Sequence, residues 1–405
     1  MTALAGLRVI DCSTLFAGPT ASLLLGDFGA EVIKIEHPEL GDPVRNHGYK
    51  KDGQSLWWTY ISRNKKSLAL DLGMKEGAGV LLDLASKSDV LIENFRPGTL
   101  ERWGIGPAEL FKVNPKLIIA RVTGFGQSGP YKDRPGFGTL AEAMSGFAAL
   151  TGSPDGPPTL PAFGLADSIA GITTAQAIMT ALFALNNPKS DSYGRGQVID
   201  TSLLEPIMMT LGPQSLIYDQ LSIKQKRTGN RTENNAPRNI YRSSDGKWLA
   251  ISTSSPSIAE RVMRLVGHPE VIDEPWFKEA RGRVERADLL DGFLNEWIGI
   301  RTAKEVIDEF TRAQAAVAPI YDIEDILEDP QVNARNVIVH VQDPLLGLVR
   351  MQNVIYHLSE TPGEIQWTGR QLGADTSRIL SSTLGMPQIR IDELASKGVI
   401  RLATP

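Results

Sequence analysis

A single cysteine, Cys12, stands in a chain of 405 residues, which excludes an intramolecular disulfide framework and any zinc or iron–sulfur site built on several thiolates. A reducing compartment is the expectation, and with it the cytoplasm. Histidine is nearly as scarce: His37, His47, His268, His340 and His357 are the full set, and none falls in a paired-ligand or nucleophile-elbow spacing. The sequence thus points to no metal site, and to packing or surface roles for the histidines. Also missing are internal repeats, low-complexity tracts, a basic segment ahead of the apolar first thirty residues, and any later apolar run of membrane-spanning length. No membrane association is expected. A net charge of -5 argues against a broad nucleic-acid surface, while leaving room for a local basic pocket that takes a phosphorylated small molecule.

What is present is an ordinary globular composition, 42% hydrophobic and 22% charged, in a chain long enough for more than one core. Gly6–Asp11 and Ala30–Glu36 read as strands around a helix that runs from Pro19 to Gly29. The alternation continues with strands at Ser67–Leu72, Asp89–Glu93 and Leu117–Val122 and a helix at Lys75–Ser86. Such alternation predicts an α/β fold with a mostly parallel sheet covered on both faces. A long apolar stretch from Gly164 to Asn186 reads as a buried helix, followed by a turn, a strand at Gln197–Asp200 and a helix from Glu205. Polar residues crowd Lys224–Pro237, which reads as a linker. Beyond it, Ile240–Ile251 around Asp245-Gly246 predicts a hairpin, helices are expected at Arg283–Ile298 and Ala303–Gln314, and strand character returns at Val337–Val341 and Leu348–Val354.

Three segments have the look of chemistry and a fourth only imitates it. Gly124-Phe-Gly-Gln-Ser-Gly129 imitates a dinucleotide loop, but Pro130, Pro135 and Gly136 precede any helical run, so a structural turn is the better reading. Asn64-Lys65-Lys66 precedes a strand and Asn94-Phe95-Arg96-Pro97-Gly98 follows one, with Arg102 nearby; the second lies where an open parallel sheet binds phosphates, and ordinary surface charge is the alternative for each. Asp167, in Phe163-Gly164-Leu-Ala-Asp167, opens the apolar helix. Capping of that helix accounts for an acid there, and so does a catalytic carboxylate.

Those segments, together with Phe16-Ala17-Gly18-Pro19, Leu25-Gly-Asp-Phe-Gly-Ala-Glu-Val-Ile-Lys-Ile-Glu36, Gly41-Asp42-Pro43, Asn64-Lys65-Lys66-Ser67, Thr123–Pro130, Leu165-Ala-Asp167 and Gly194-Arg-Gly-Gln197, resemble in order the class III CoA-transferases, the CaiB/BaiF family that includes formyl-CoA:oxalate CoA-transferase. The resemblance implies a Rossmann-like large domain with a mostly parallel sheet, a smaller α+β domain, and two ring-like chains interlocked as a homodimer. The implied bounds are 1–200 for the N-terminal part of the large domain, 201–235 for a linker helix and loop, 236–320 for the small domain, and 321–405 for a return linker and the rest of the large domain. It implies CoA transfer from an acyl-CoA to a free carboxylic acid, with the coenzyme A thioester as substrate, no tightly bound cofactor, and Asp167 as the catalytic aspartate. Phe16, Ala17, Asn94, Phe95 and Arg102 would line the CoA site, His37 would stand at its nucleotide, and Arg134 at its phosphates.

Two departures from the formyl-CoA enzyme bear on substrate. Residues 252–257 read Ser-Thr-Ser-Ser-Pro-Ser in place of a glycine-rich loop, and Phe16 replaces a glutamine. Both point away from formyl-CoA and oxalate, toward succinyl-CoA as donor with a dicarboxylic or hydroxy acid as acceptor. A 2-methylacyl-CoA racemase shares the pattern but carries a proton-transferring histidine where this chain has Phe137, and phenylalanine cannot move protons. A non-catalytic CoA-binding protein is the remaining alternative, against which an intact Asp167 speaks.

Overall fold

The computed structural model describes residues 2–403, and its chain divides into two compact units. The larger comprises Met1–Phe147, Pro161–Gly212 and Gln331–Pro405, and the smaller Ala148–Leu160 and Pro213–Pro330. In the larger unit, β1 (Arg8–Asp11), β2 (Glu31–Glu36), β3 (Lys65–Leu70), β4 (Val90–Glu93), β5 (Ile118–Thr123) and β6 (Gln197–Ser202) pair in parallel. The spatial order is β3-β2-β1-β4-β5-β6. The parallel α/β sheet expected from the sequence is therefore observed, together with small antiparallel sheets.

Side-chain alternation explains why these strands are apolar almost throughout. Ile10, Ile33, Leu68, Leu91 and Ile119 pack into one core, against helix α2 (Lys75–Ala85) among others. Val9, Val32, Val90, Ile92, Ile118 and Ala120 pack into another, against α1 (Ala17–Asp27) and α4 (Leu165–Asn186). Successive residues of a strand face opposite sides, so a sheet covered on both faces needs hydrophobics at every position.

The strand order reverses at β1. From β1 the chain builds outward through β2 and β3 on one side, then returns to place β4 on the other. Loops leaving the carboxyl ends of β1 and β4 therefore diverge and leave a crevice, the usual ligand position in an open α/β sheet.

In the smaller unit, β7 (Arg238–Arg242) and β8 (Trp248–Ser252) form the expected hairpin, and Gly246 supplies the positive φ, 81°, that its turn needs. The core includes Tyr241, Leu249, Val262, Leu294 and Phe310. The helix expected at Arg283–Ile298 is instead two, Ala280–Glu285 and Ala287–Gly299, because Arg286 between them leaves helical geometry at ψ 26°. The polar 252–257 segment leads into a helix, Pro256–Leu265, with Ser255 as its N-cap.

Two expectations for α4 need correction. Its 22 residues are apolar and long enough to cross a membrane by length and composition, contrary to the reading that no later run reaches that length. It is also not fully buried: Ala170, Thr174 and Ile178 are enclosed, whereas Ile172 is 50% and Phe183 71% exposed. Apolar residues surround this helix, and contact with α1 and the sheet covers only part of it.

Candidate active site

A cavity of about 730 Å³ lies in the crevice beyond the carboxyl ends of the strands, lined by Thr14–Ala17 after β1, Asn94–Pro97 after β4 and Gly124 after β5. Its far wall is formed by Lys132, by Arg134–Thr139 and by Pro161–Gly164 with Asp167.

The β1 side of this cavity is held by a buried charge cluster. Asp11, fully buried, accepts hydrogen bonds from Ser13 N (3.0 Å) and Lys65 Nζ (3.1 Å). Lys34 Nζ pairs with Asp42 at 2.8 Å and donates to the Ser13 carbonyl. Burial alone would raise the Asp11 carboxyl, but the Lys34 and Lys65 ammoniums outweigh it and hold the group at about 2. Asp42 also accepts from Leu15 N at 3.1 Å, where the backbone turns through φ 63°. Asn94 completes the clamp, accepting from Thr14 N (2.8 Å) and donating to the Thr14 carbonyl (2.7 Å). The strained turn thus presents Phe16 and Ala17 to the cavity from a fixed frame.

Asn64-Lys65-Lys66, a candidate basic segment with ordinary surface charge as its alternative, is engaged within the fold and does not line the cavity. Asn64 donates to Asp27 and to the Glu364 carbonyl, Lys65 is sealed against Asp11, and Lys66 pairs with Glu31. In sequence these looked like surface charges. Opposite charges on neighbouring strands draw them inward.

The far wall depends on backbone proximity. Gly124 and Gly136 pass so closely that a Cβ on either would lie 2.5 Å from the other's Cα. Gly126 and Gly129 take φ of 84°, so the Gly124–Gly129 run is a turn that admits this approach. It draws the 131–137 segment to the end of β5, and helix α3 (Gly138–Met144) begins directly after it.

Asp167 lies in the first turn of α4, half-buried, facing α3. A Cβ placed on Gly138 would fall 2.2 Å from Asp167 Oδ2, so the glycine leaves the carboxylate its room. Among the described residues none donates a hydrogen bond to that carboxylate, and Gly164, the N-cap, offers no side-chain cap. Capping therefore does not account for the acid. Burial and then the neighbouring Glu142 carboxylate raise the Asp167 carboxyl to about 6. Glu142, 2% exposed on α3, accepts from Ala166 N at 3.1 Å. Sequence reasoning missed it, because only folding brings α3 to the start of α4.

The other residues singled out from sequence divide in two. Phe16, Ala17, Asn94, Phe95 and Arg134 line the cavity with Asp167. His37 and Arg102 do not. His37 follows β2, with Nε2 3.7 Å from Asp71, and exposed Arg102 donates to Thr99. Both nonetheless sit past carboxyl ends of strands, on the cavity's edge of the sheet. Arg134 stacks on the Tyr131 ring at 3.7 Å. Among the described residues no carboxylate pairs with it or with Arg96 or Lys132, which also line the cavity. His47, likewise on the wall, meets the edge of Phe16 at 5.0 Å.

A parallel sheet with a crevice at its point of reversal, an unpartnered carboxylate in it and unpaired cations around it define an α/β enzyme that handles anionic substrates. The chain belongs to CoA-transferase family III, whose sequence pattern it matches over residues 4–376. It is 40% identical to succinyl-CoA–D-citramalate CoA-transferase of Chloroflexus aurantiacus over 97% of both chains. It is 39% identical to the β subunit of succinyl-CoA–L-malate CoA-transferase from the same organism, over 98% of both. Among solved structures, a CaiB/BaiF family protein from Brucella suis superposes with a TM-score of 0.80 at 29% identity, covering 95% of this chain and 99% of that one.

Proposed function

We propose that this enzyme moves CoA from succinyl-CoA to a free dicarboxylic or hydroxydicarboxylic acid, with Asp167 as the covalent participant. The observation that carries the reading is the Asp167 carboxylate itself, without a hydrogen-bond partner among the described residues and on the wall of a cavity of about 730 Å³. The named donors and acceptors of the two Chloroflexus relatives support the substrate class.

The chemistry divides one exchange into steps of similar energy. An Asp167 oxygen attacks the thioester carbonyl, the C–S bond breaks, and a mixed anhydride and CoA thiolate result. The thiolate attacks the aspartyl carbonyl, releasing succinate and leaving an aspartyl-CoA thioester. The acceptor carboxylate then attacks that thioester, giving a second anhydride and the thiolate, which takes the acceptor's acyl group and frees Asp167. No metal or redox group is needed for these steps.

Phe16, Ala17, Asn94 and Phe95 would hold the pantetheine arm and acyl end, with Arg134 at phosphates and His37 and Arg102 along the nucleotide. Ile172, Phe183, Met208 and Met209 leave an apolar surface on the larger unit, Met209 being 83% exposed, which suits the interlocked homodimer of the family resemblance. The lone thiol, Cys12, is buried, in keeping with a cytoplasmic enzyme.

Intact-protein mass spectrometry with succinyl-CoA tests the reading. A CoA-sized adduct on the wild type, cleaved by hydroxylamine and absent from Asp167→Ala, is expected. A chain that transfers CoA without Asp167 would overturn it.

A further inference from the structure

Glu142 is a buried carboxylate with no part in the steps above, yet it lies against the group that performs them. The two helices exchange contacts at this point. From α3, Glu142 Oε1 accepts from Ala166 N, answering a backbone N–H of the first turn of α4. From α4, the Asp167 carboxylate rests on Gly138, the first residue of α3. The N-cap residue Gly164 supplies no side-chain cap, and the Glu142 carboxylate holds this first-turn N–H from the neighbouring helix. Asp167 is the next residue after Ala166.

We propose that Glu142 is the positioning residue for Asp167, holding the turn that aims the carboxylate and placing a second negative charge beside it. The proposal rests on the reading of Asp167 as nucleophile.

The charge has a consequence for reactivity. A neighbouring anion makes Asp167 harder to ionise, in the same direction as its burial. The carboxylate that does form is less stabilised and more basic, hence a better nucleophile toward a thioester. Charged groups on the other elements packed against α3 and α4 are engaged elsewhere. Asp27 of α1 pairs with Arg63, Arg121 of β5 with Glu93 and Glu101, Asp200 of β6 accepts from Gln127 N, and Glu205 accepts from Ser202. The cavity wall adds His47, Arg96, Lys132 and Arg134. Glu142 is the charged neighbour that acts on Asp167.

Two substitutions separate the halves of this role. Glu142→Gln keeps an oxygen for Ala166 N and removes the charge; Glu142→Asp keeps the charge and shortens the reach. With the charge gone, Asp167 ionises at lower pH, so the acidic limb of kcat/KM for Glu142→Gln should move down by about half a pH unit. For Glu142→Asp the limb should stay, while kcat falls roughly ten-fold from the misplaced carboxylate and KM for succinyl-CoA is held within about two-fold. Thermal melts of both variants accompany the kinetics. Unmoved limb and unchanged kcat in the two variants, or losses that follow melting temperature with kcat and KM falling together, would overturn the assignment. The hydroxylamine-sensitive adduct is followed in the same samples. An adduct on Asp167 with no response to either variant removes Glu142 alone, whereas no adduct on Asp167 in the wild type removes the nucleophile reading and this one with it.

Discussion

Asp11, behind the loop that follows β1, and Asp167, on the cavity wall, are driven in opposite directions. Both are withdrawn from water, which disfavours the charged form of each. Asp11 has Lys34 and Lys65 against it and is held near 2, while Asp167 has only Glu142 and rises to about 6. The difference lies in the partners, since the burial of the two has the same sign. A paired acid stabilises the fold, and an unpaired one is kept available for reaction.

Substitution of the two acids gives the sharpest form of that contrast. Asp167→Ala should reduce transfer by about ten-thousand-fold and leave the protein at least as stable at neutral pH. A carboxyl raised in the folded state favours folding when protonated, and that contribution is lost as pH rises toward 6. Asp11→Asn should do the reverse. It leaves the buried Lys65 ammonium without its carboxylate, while Lys34 keeps Asp42, and should cost about 3–5 kcal/mol, read by denaturant melts at pH 7. Because the folded-state value of Asp11 is depressed, its contribution is present above the ordinary carboxylate range and fades as pH falls toward 2. A normal melt for Asp11→Asn, or an unstable Asp167→Ala, would break the comparison.

Gly138→Ala probes the reactive side without changing a charge. The backbone there accepts alanine, but the added methyl meets Asp167 Oδ2. We expect kcat to fall by about a hundred-fold as the carboxylate is displaced, with the melting temperature nearly unchanged. The gentlest test alters only the buffer. If Asp167 must be ionised, kcat/KM of the wild type falls as pH drops through about 6, tracking free-enzyme ionisation. A limb near 4 would place the nucleophile in an ordinary setting.

How much of this was readable in the sequence depends on how far apart the partners lie. The strands of the large sheet were legible because each carries its own apolar run, as was the place of Asp167 in the first turn of an apolar helix, whereas its catalytic role was an expectation drawn from the family resemblance. Lys34 and Lys65 were not legible. Their burial comes from Asp11 and Asp42 on neighbouring segments, a pairing that no local pattern encodes. Glu142 was hidden for the same reason, its contact being a backbone N–H 24 residues away. The exposed face of α4 escaped because apolar residues all round a helix do not reveal which side is left bare. The His37 and Arg102 expectations came from resemblance, and the structure sets them past the strand ends but off the cavity wall.

The edge of the large sheet beyond β3 is closed by Ile400–Arg401, paired antiparallel with Leu70 and Ala69. Asp375 accepts from Ser67 N, and the Val399 carbonyl from Asp71 N. During synthesis these partners emerge more than 300 residues after the strand they complete, and the core of the smaller unit is translated in between. This edge of the large sheet therefore cannot be completed until Asp375–Arg401 are made, after the core of the smaller unit has been translated.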